Sequence, residues 1–243
     1  MRIFLDVGAH DGETLDVALD PRWGFHRIDS FEPASTRLKT LRKFRDKRLV
    51  IHDFGLSSQT KTTILYGAGL LGGSIYSEKR YLDTRATTYT EEIKLKSAAD
   101  WLSQNTKFDD EIYLKLNCEG SEADILENLI STHIISRIKS IYVDFDIRKV
   151  PGQEYRQELI EAKLISLNIK FHTPQTLKAS ANAGVTAWLN LSVSRIKSNP
   201  MTSLYFFMRL YRPIYLTLKI LVLKYFPTKA KYLIVQKFGN HKF

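Results

Sequence analysis

The sequence predicts an α/β protein built on a mostly parallel sheet, and three observations carry that expectation. Residues Ile3 to Val7 form an apolar run broken only by Asp6 and rich in strand formers, as in a central parallel strand covered on both faces. Gly8 and Gly12 then release the backbone, and Thr14, Leu15, Ala18 and Leu19 support a short helix behind them. Further strand-like runs at Ile28 to Phe31, Leu49 to Phe54, Ile112 to Leu116 and Lys139 to Phe145 are separated by helical patterns. For 243 residues, one such domain (1–197) plus an extension (198–243) is the natural count.

The opening turn is a ligand-binding corner, because helix amides starting near Thr14 point into the crevice at the end of the first strand. Gly8 and Gly12 are four apart, so the third-position glycine of a dinucleotide turn is missing. Asp6, Asp11 and Glu13 would also repel a pyrophosphate. Such a crevice suits a ligand with cationic and hydroxyl groups, and S-adenosylmethionine has both. Glu32, followed by Pro33, closes the next strand about twenty residues past the turn, where a carboxylate accepts bonds from ribose hydroxyls.

Asp6-Val7-Gly8-Ala9 followed by Phe31-Glu32-Pro33 resembles the opening of the FkbM-type methyltransferases, a class I family that uses S-adenosylmethionine. Gly55-Leu56-Ser57, Gly73-Ser74-Ile75 and Ile93 to Leu102 resemble later family segments in the right order. Most specific is Lys115-Leu116-Asn117-Cys118-Glu119-Gly120-Ser121-Glu122, similar to a Lys-Ile-Asp-Val-Glu-Gly-Ala-Glu pattern. Asn117 stands where that pattern has aspartate, and an amide cannot serve there as a base. The resemblance spans roughly residues 3 to 145. It implies a class I methyltransferase Rossmann-like fold with a seven-stranded, mostly parallel sheet and an antiparallel last strand inserted between the fifth and sixth. It also implies methyl transfer to oxygen, with a sugar hydroxyl as acceptor.

On that expectation the residues take roles in order. Asp6, Gly8, His10 and Asp11 line the methionine end of the donor, Glu32 and Pro33 its ribose side, and Asp53, Gly55 and Leu56 its adenine side. His52 is better read as a satisfied strand histidine than as a ligand contact. Ala34 to Asp46 is a basic helix with Leu38 and Leu41 inward, its Lys and Arg a solvated face. From Gly55 to Leu95 the periodicity is poor and glycines are frequent, as in an antiparallel excursion or a covering loop. Tyr76, Lys79, Arg80 and Arg85 there offer polar contacts.

A helix at Ser97 to Gln104 precedes the Ile112 strand, which delivers Asn117 and Glu119 to the crevice, and Ser121 to Ser131 is a helix. Cys118 reads as a packing residue; as the lone cysteine it excludes an internal disulfide. Asp144 and Asp146 end the Lys139 strand, so Glu119, Asp144 and Asp146 converge on an acceptor hydroxyl with one as general base. A divalent cation held jointly by these acids is the less favoured arrangement. Glu154 to Leu167 is a helix, Ile169 to His172 a strand and Gly184 to Ile196 the expected last strand.

The net charge of +10 is unevenly placed. Residues 162–243 hold thirteen Lys and Arg and no acid, which leaves the first 161 residues near −3. A nucleic-acid partner is therefore not favoured. Within Met201 to Phe226, Arg209, Arg212, Lys219 and Lys224 fall in an arc of about 140° on a helical wheel. That predicts a cationic amphipathic element touching anionic membrane, with packing on the domain or a dimer contact as the alternative. With no leader-like stretch before the first strand, a cytoplasmic, membrane-peripheral location is expected. The competing functional readings are a nicotinamide-dependent oxidoreductase and a non-catalytic basic module binding membrane or nucleic acid.

Overall fold

The computed structural model of the protein describes residues 1–194. Six parallel strands form its main sheet in the order β3-β2-β1-β7-β8-β9. These are β1 (Arg2–Val7), β2 (Arg27–Phe31), β3 (Leu49–His52), β7 (Glu111–Leu116), β8 (Ile138–Val143) and β9 (Phe171–His172). The chain runs outward from β1 to β3, then crosses back to start the other half at β7. The strand order therefore reverses between β1 and β7, and crevices for ligands open at the carboxyl ends of strands at such a point. This is the expected α/β, Rossmann-like architecture.

Alternation along the strands sorts the core into two faces. Ile3, Leu5, Val7, Ile112, Leu114, Leu116, Ile141 and Val143 share one cluster with Leu102 of α3 (Ala98–Asn105), Ile125, Leu126 and Leu129 of α4 (Glu122–Ser131), and Ile160 and Leu164 of α5 (Tyr155–Ser166). The opposite face is aromatic: Phe4, Tyr113 and Tyr142 surround Trp188 at ring distances of 5.8 to 6.4 Å. Trp188 belongs to α7 (Ala181–Ser192), which packs on α1 (Glu13–Ala18).

Here the structure corrects the sequence reading. The segment expected as an antiparallel last strand from Gly184 is helical to Ser192, and β9 pairs directly with β8. Its buried residues, Gly184, Val185, Trp188 and Leu189, recur at i, i+1, i+4 and i+5, a helical stripe whose apolar density resembled a strand. The main sheet therefore has six strands among the described residues, not seven. The basic helix is also shorter than expected, α2 (Ser35–Leu41), and the third strand stops at His52.

The excursion exists as anticipated. A three-stranded sheet of order β4-β6-β5 is built from β4 (Gly55–Ser57), β5 (Lys61–Tyr66) and β6 (Thr90–Ser97), with β5 antiparallel to β6. Between β5 and β6 a glycine-punctuated strap, residues 67–73, returns to the crevice. A last short helix, α6 (Pro174–Leu177), precedes α7. No helix among the described residues is long and apolar enough to cross a membrane. The amphipathic element expected at 201–226 lies outside the described residues.

Candidate functional site

The turn after β1 is fixed by backbone geometry that few residues tolerate. Gly8 has φ +75°, and an added Cβ would overlap the Asn117 carbonyl oxygen, so only glycine fits where the ends of β1 and β7 meet. The amides of Gly8 and Ala9 both donate to the Phe31 carbonyl at 3.1 Å, which ties the turn to the end of β2. There Glu32 lies buried, 7% exposed. Its Oε2 accepts from the His10 amide at 2.8 Å and its Oε1 from the Ala34 amide at 2.9 Å. Burial raises its pKa, against the pull of those two amides, His10 and Lys115. Each oxygen keeps a lone pair for a further donor.

Beneath this corner lies a pair that sequence reasoning missed. Asp6 is fully buried, and Lys115 Nζ stands 2.9 Å from its Oδ1 while donating to the Gly8 carbonyl at 2.8 Å. Lys115 lines the crevice and Asp6 does not. The signal was the parallel register that sets Asp6 opposite Lys115, which single-chain spacing does not reveal.

The loop from β7 to α4 is held in unusual conformations, with Glu119 at φ +58° and Gly120 at φ +115°. Glu122 braces it from within: the carboxylate, fully buried, accepts from the amides of Cys118 at 2.8 Å and Gly120 at 3.0 Å. Burial pushes its pKa up to about 7 against those hydrogen bonds. The Cys118 thiol, half-buried at the cavity wall, is driven well up by burial and the Glu122 charge, away from the reactive thiolate.

Glu119, Asp144 and Asp146 do gather, but with cations of the protein between them. Lys79 Nζ bonds Glu119 and the Gly72 carbonyl, and lies 3.5 Å from Asp146. Lys149 holds Asp146 at 2.7 Å, and Arg148 lies 3.6 Å from Asp144. Burial and a hydrogen bond with Asp146 raise the Glu119 pKa despite Lys79. Burial also acts on Asp146, but hydrogen bonds with Glu119 and Lys149 and the Lys79 charge hold it low. Asp144 is raised by burial and then by the Asp146 charge.

These elements enclose a cavity of about 270 Å³. Of the residues expected in the site, Gly8, His10, Glu32, Pro33, Gly55, Leu56, Asn117, Glu119 and Asp144 line it. Asp6, Asp11, Asp53 and Asp146 do not. Asp11 is engaged by Arg37 at 2.7 Å, Asp53 is exposed, and Asp146 stands behind Glu119. His52 is the satisfied strand histidine expected, 2.9 Å from Asp29 and stacked on Phe31. The strap contributes Gly67, Gly69, Leu70 and Gly72 as a wall, held by Arg37 donating to the Gly69 carbonyl at 2.7 Å. Missing side chains there leave the wall close to the crevice without filling it. His10, Asp11 and Glu13 could each offer one atom to a cation, yet Asp11 is already committed to Arg37.

No protein-family model and no curated protein matches the chain. Among solved structures, it is similar to the crystal structure of the methyltransferase FkbM from Methylobacillus flagellatus KT, with 17% identity and a TM-score of 0.39. The match covers 70% of this chain and 38% of that one, so this chain corresponds to well under half of the neighbour's length.

Proposed function

We propose that the cavity binds S-adenosylmethionine and that the protein transfers a methyl group to an oxygen, with a sugar hydroxyl of a glycan or glycoconjugate as acceptor. The observation that carries this reading is Glu32: a buried carboxylate closing β2, fixed by two amides and open to the cavity on its remaining lone pairs. Ribose hydroxyls are donors of the kind it lacks. The neighbouring helix start argues for a cationic ligand, since Glu13 and Asp16 occupy the first turn of α1. A pyrophosphate would meet those acids where it needs free amides, which counts against the nicotinamide reading.

The residues present fit the donor. Gly8 lets it approach the main chain, Pro33, Gly55 and Leu56 give its base an apolar seat, and Asn117 faces its reactive end. When bound, S-adenosylmethionine supplies a methyl on a sulfonium that already leaves readily. The protein therefore contributes position and proton removal. Asp144 suits proton removal, since it lines the cavity and burial raises its pKa above the ordinary aspartate value, and it takes the acceptor hydroxyl's proton. Glu119 bounds the acceptor's place, and Asp146 supports it from behind.

Calorimetry with S-adenosylhomocysteine and with reduced nicotinamide dinucleotide tests the reading. Binding of the first alone is expected; binding of the second alone would overturn it. Mass spectrometry of glycans incubated with labelled donor then identifies the acceptor. The basic segment 198–243 is proposed to hold the enzyme on anionic membrane. Flotation of the intact protein with anionic liposomes at low salt is the expected result, and failure to float removes that part.

A further inference from the structure

The excursion does more than wall the cavity, because one of its side chains reaches into the acid cluster. Lys79 is 3% exposed at its side chain, an unusual burial for an ammonium. Three oxygens of the described residues stand around its ammonium: the Glu119 carboxylate, the Gly72 carbonyl at 3.2 Å and Asp146 Oδ2 at 3.5 Å, an oxygen that Lys149 also holds at 2.8 Å. Two carboxylates and a carbonyl are an all-oxygen set of the kind that holds hard divalent cations. Two further bonds join the same stretch to the same loops, Ser74 Oγ donating to the Glu119 carbonyl at 2.6 Å and the Arg80 amide to the Lys149 carbonyl at 2.8 Å.

We propose that Lys79 is the positioning residue of this centre, an internal cation standing where the oxygens of Glu119, Asp146 and Gly72 would otherwise take a divalent metal. Its ammonium fixes the Glu119 side chain at the cavity wall and fastens the strap, through Gly72, to the β7–α4 loop. A divalent ion would draw the same oxygens together but would exchange with solvent; a lysine on the chain does not. The centre is thereby complete without an added metal. Only the kinetic part of this inference rests on the methyl-transfer reading.

The test removes the side chain and offers substitutes. Lys79→Ala is expected to gain a Mn²⁺ site with a dissociation constant of about 10⁻⁴ to 10⁻³ M, the range of weak oxygen-ligand sites, where the unaltered protein shows none. Propylammonium should compete with Mn²⁺ in that variant, and Lys79→Ala/Glu119→Gln should lose the metal. A folded Lys79→Ala that takes up no Mn²⁺, or Mn²⁺ uptake that survives Glu119→Gln, overturns the proposal. With labelled donor, turnover by Lys79→Ala should fall at least tenfold while the affinity for S-adenosylhomocysteine stays within twofold, and propylammonium should restore it. Equal losses in both, without rescue, would mark Lys79 as a packing residue and overturn the proposal.

If Lys79→Ala does not fold, acylation of Lys79 followed by mass spectrometry answers instead. Glu119→Gln should speed the labelling of Lys79 about tenfold, and an unchanged rate overturns the proposal. The arms separate this inference from the function itself. Mn²⁺ gain without S-adenosylhomocysteine binding removes the methyl-transfer reading alone, and the reverse pattern removes only the role of Lys79.

Discussion

The two halves of the sheet use the same residue type in opposite ways. At the ends of β1 and β2, Glu32 is buried against backbone amides and left with acceptor capacity facing the cavity. At the ends of β7 and β8, the half-buried Glu119 and the buried Asp146 stand against lysines that consume that capacity. The lesson is that an acid at a strand end signals a ligand only when its partners are amides. An amide orients a carboxylate and leaves its charge; an ammonium cancels it.

Breaking the floor between the halves should have the largest effect. Lys115→Met leaves Asp6 charged and fully buried without a partner, and is expected to cost about 3–5 kcal/mol in urea unfolding. Gly8→Ala comes next. The overlap with the Asn117 carbonyl and the φ of +75° predict a loss of about 2–4 kcal/mol, measured the same way, with donor binding lost as the strand ends part.

Glu32→Ala should keep the fold and weaken S-adenosylhomocysteine about 10- to 100-fold, as expected for hydrogen bonds to a charged group. Unchanged affinity by calorimetry would erase the contrast between the halves. A subtler probe is Glu122, raised from an ordinary value of 4.5 to about 7. The folded protein binds its proton more tightly than the unfolded chain, so stability is greatest below pH 4.5 on this account and falls as pH rises toward 7. Glu122→Gln should flatten that slope in thermal melts taken across the interval. The smallest effect belongs to Asp53→Ala, which should leave donor affinity unchanged because the side chain is exposed outside the cavity.

What the sequence made legible was local. Strand, turn and helix around Gly8 and the acid closing β2 are contiguous signals, and the structure brings Gly8, Glu32, Pro33 and Asn117 to one cavity. Partnerships set by register or by a long excursion were not legible. Asp6 was read as a donor contact because its partner Lys115 lies 109 positions away, on a neighbouring strand. Lys79 was one cation among several on a loop until the fold carried it between two carboxylates. Asp53 was misplaced because β3 ends at His52, which turns the next side chain outward to solvent. α7 was mistaken for a strand since a run containing Trp188 and Leu189 satisfies both periods over a short window.

The Arg37 guanidinium spans the first turn and the strap, one arm on Asp11 and the other on the Gly69 carbonyl, each at 2.7 Å. Asp11 is about a third exposed, so mobile ions can reach and loosen the bond. The join between the first turn and the strap is therefore tied to ionic strength through Asp11, a side chain that does not itself line the crevice.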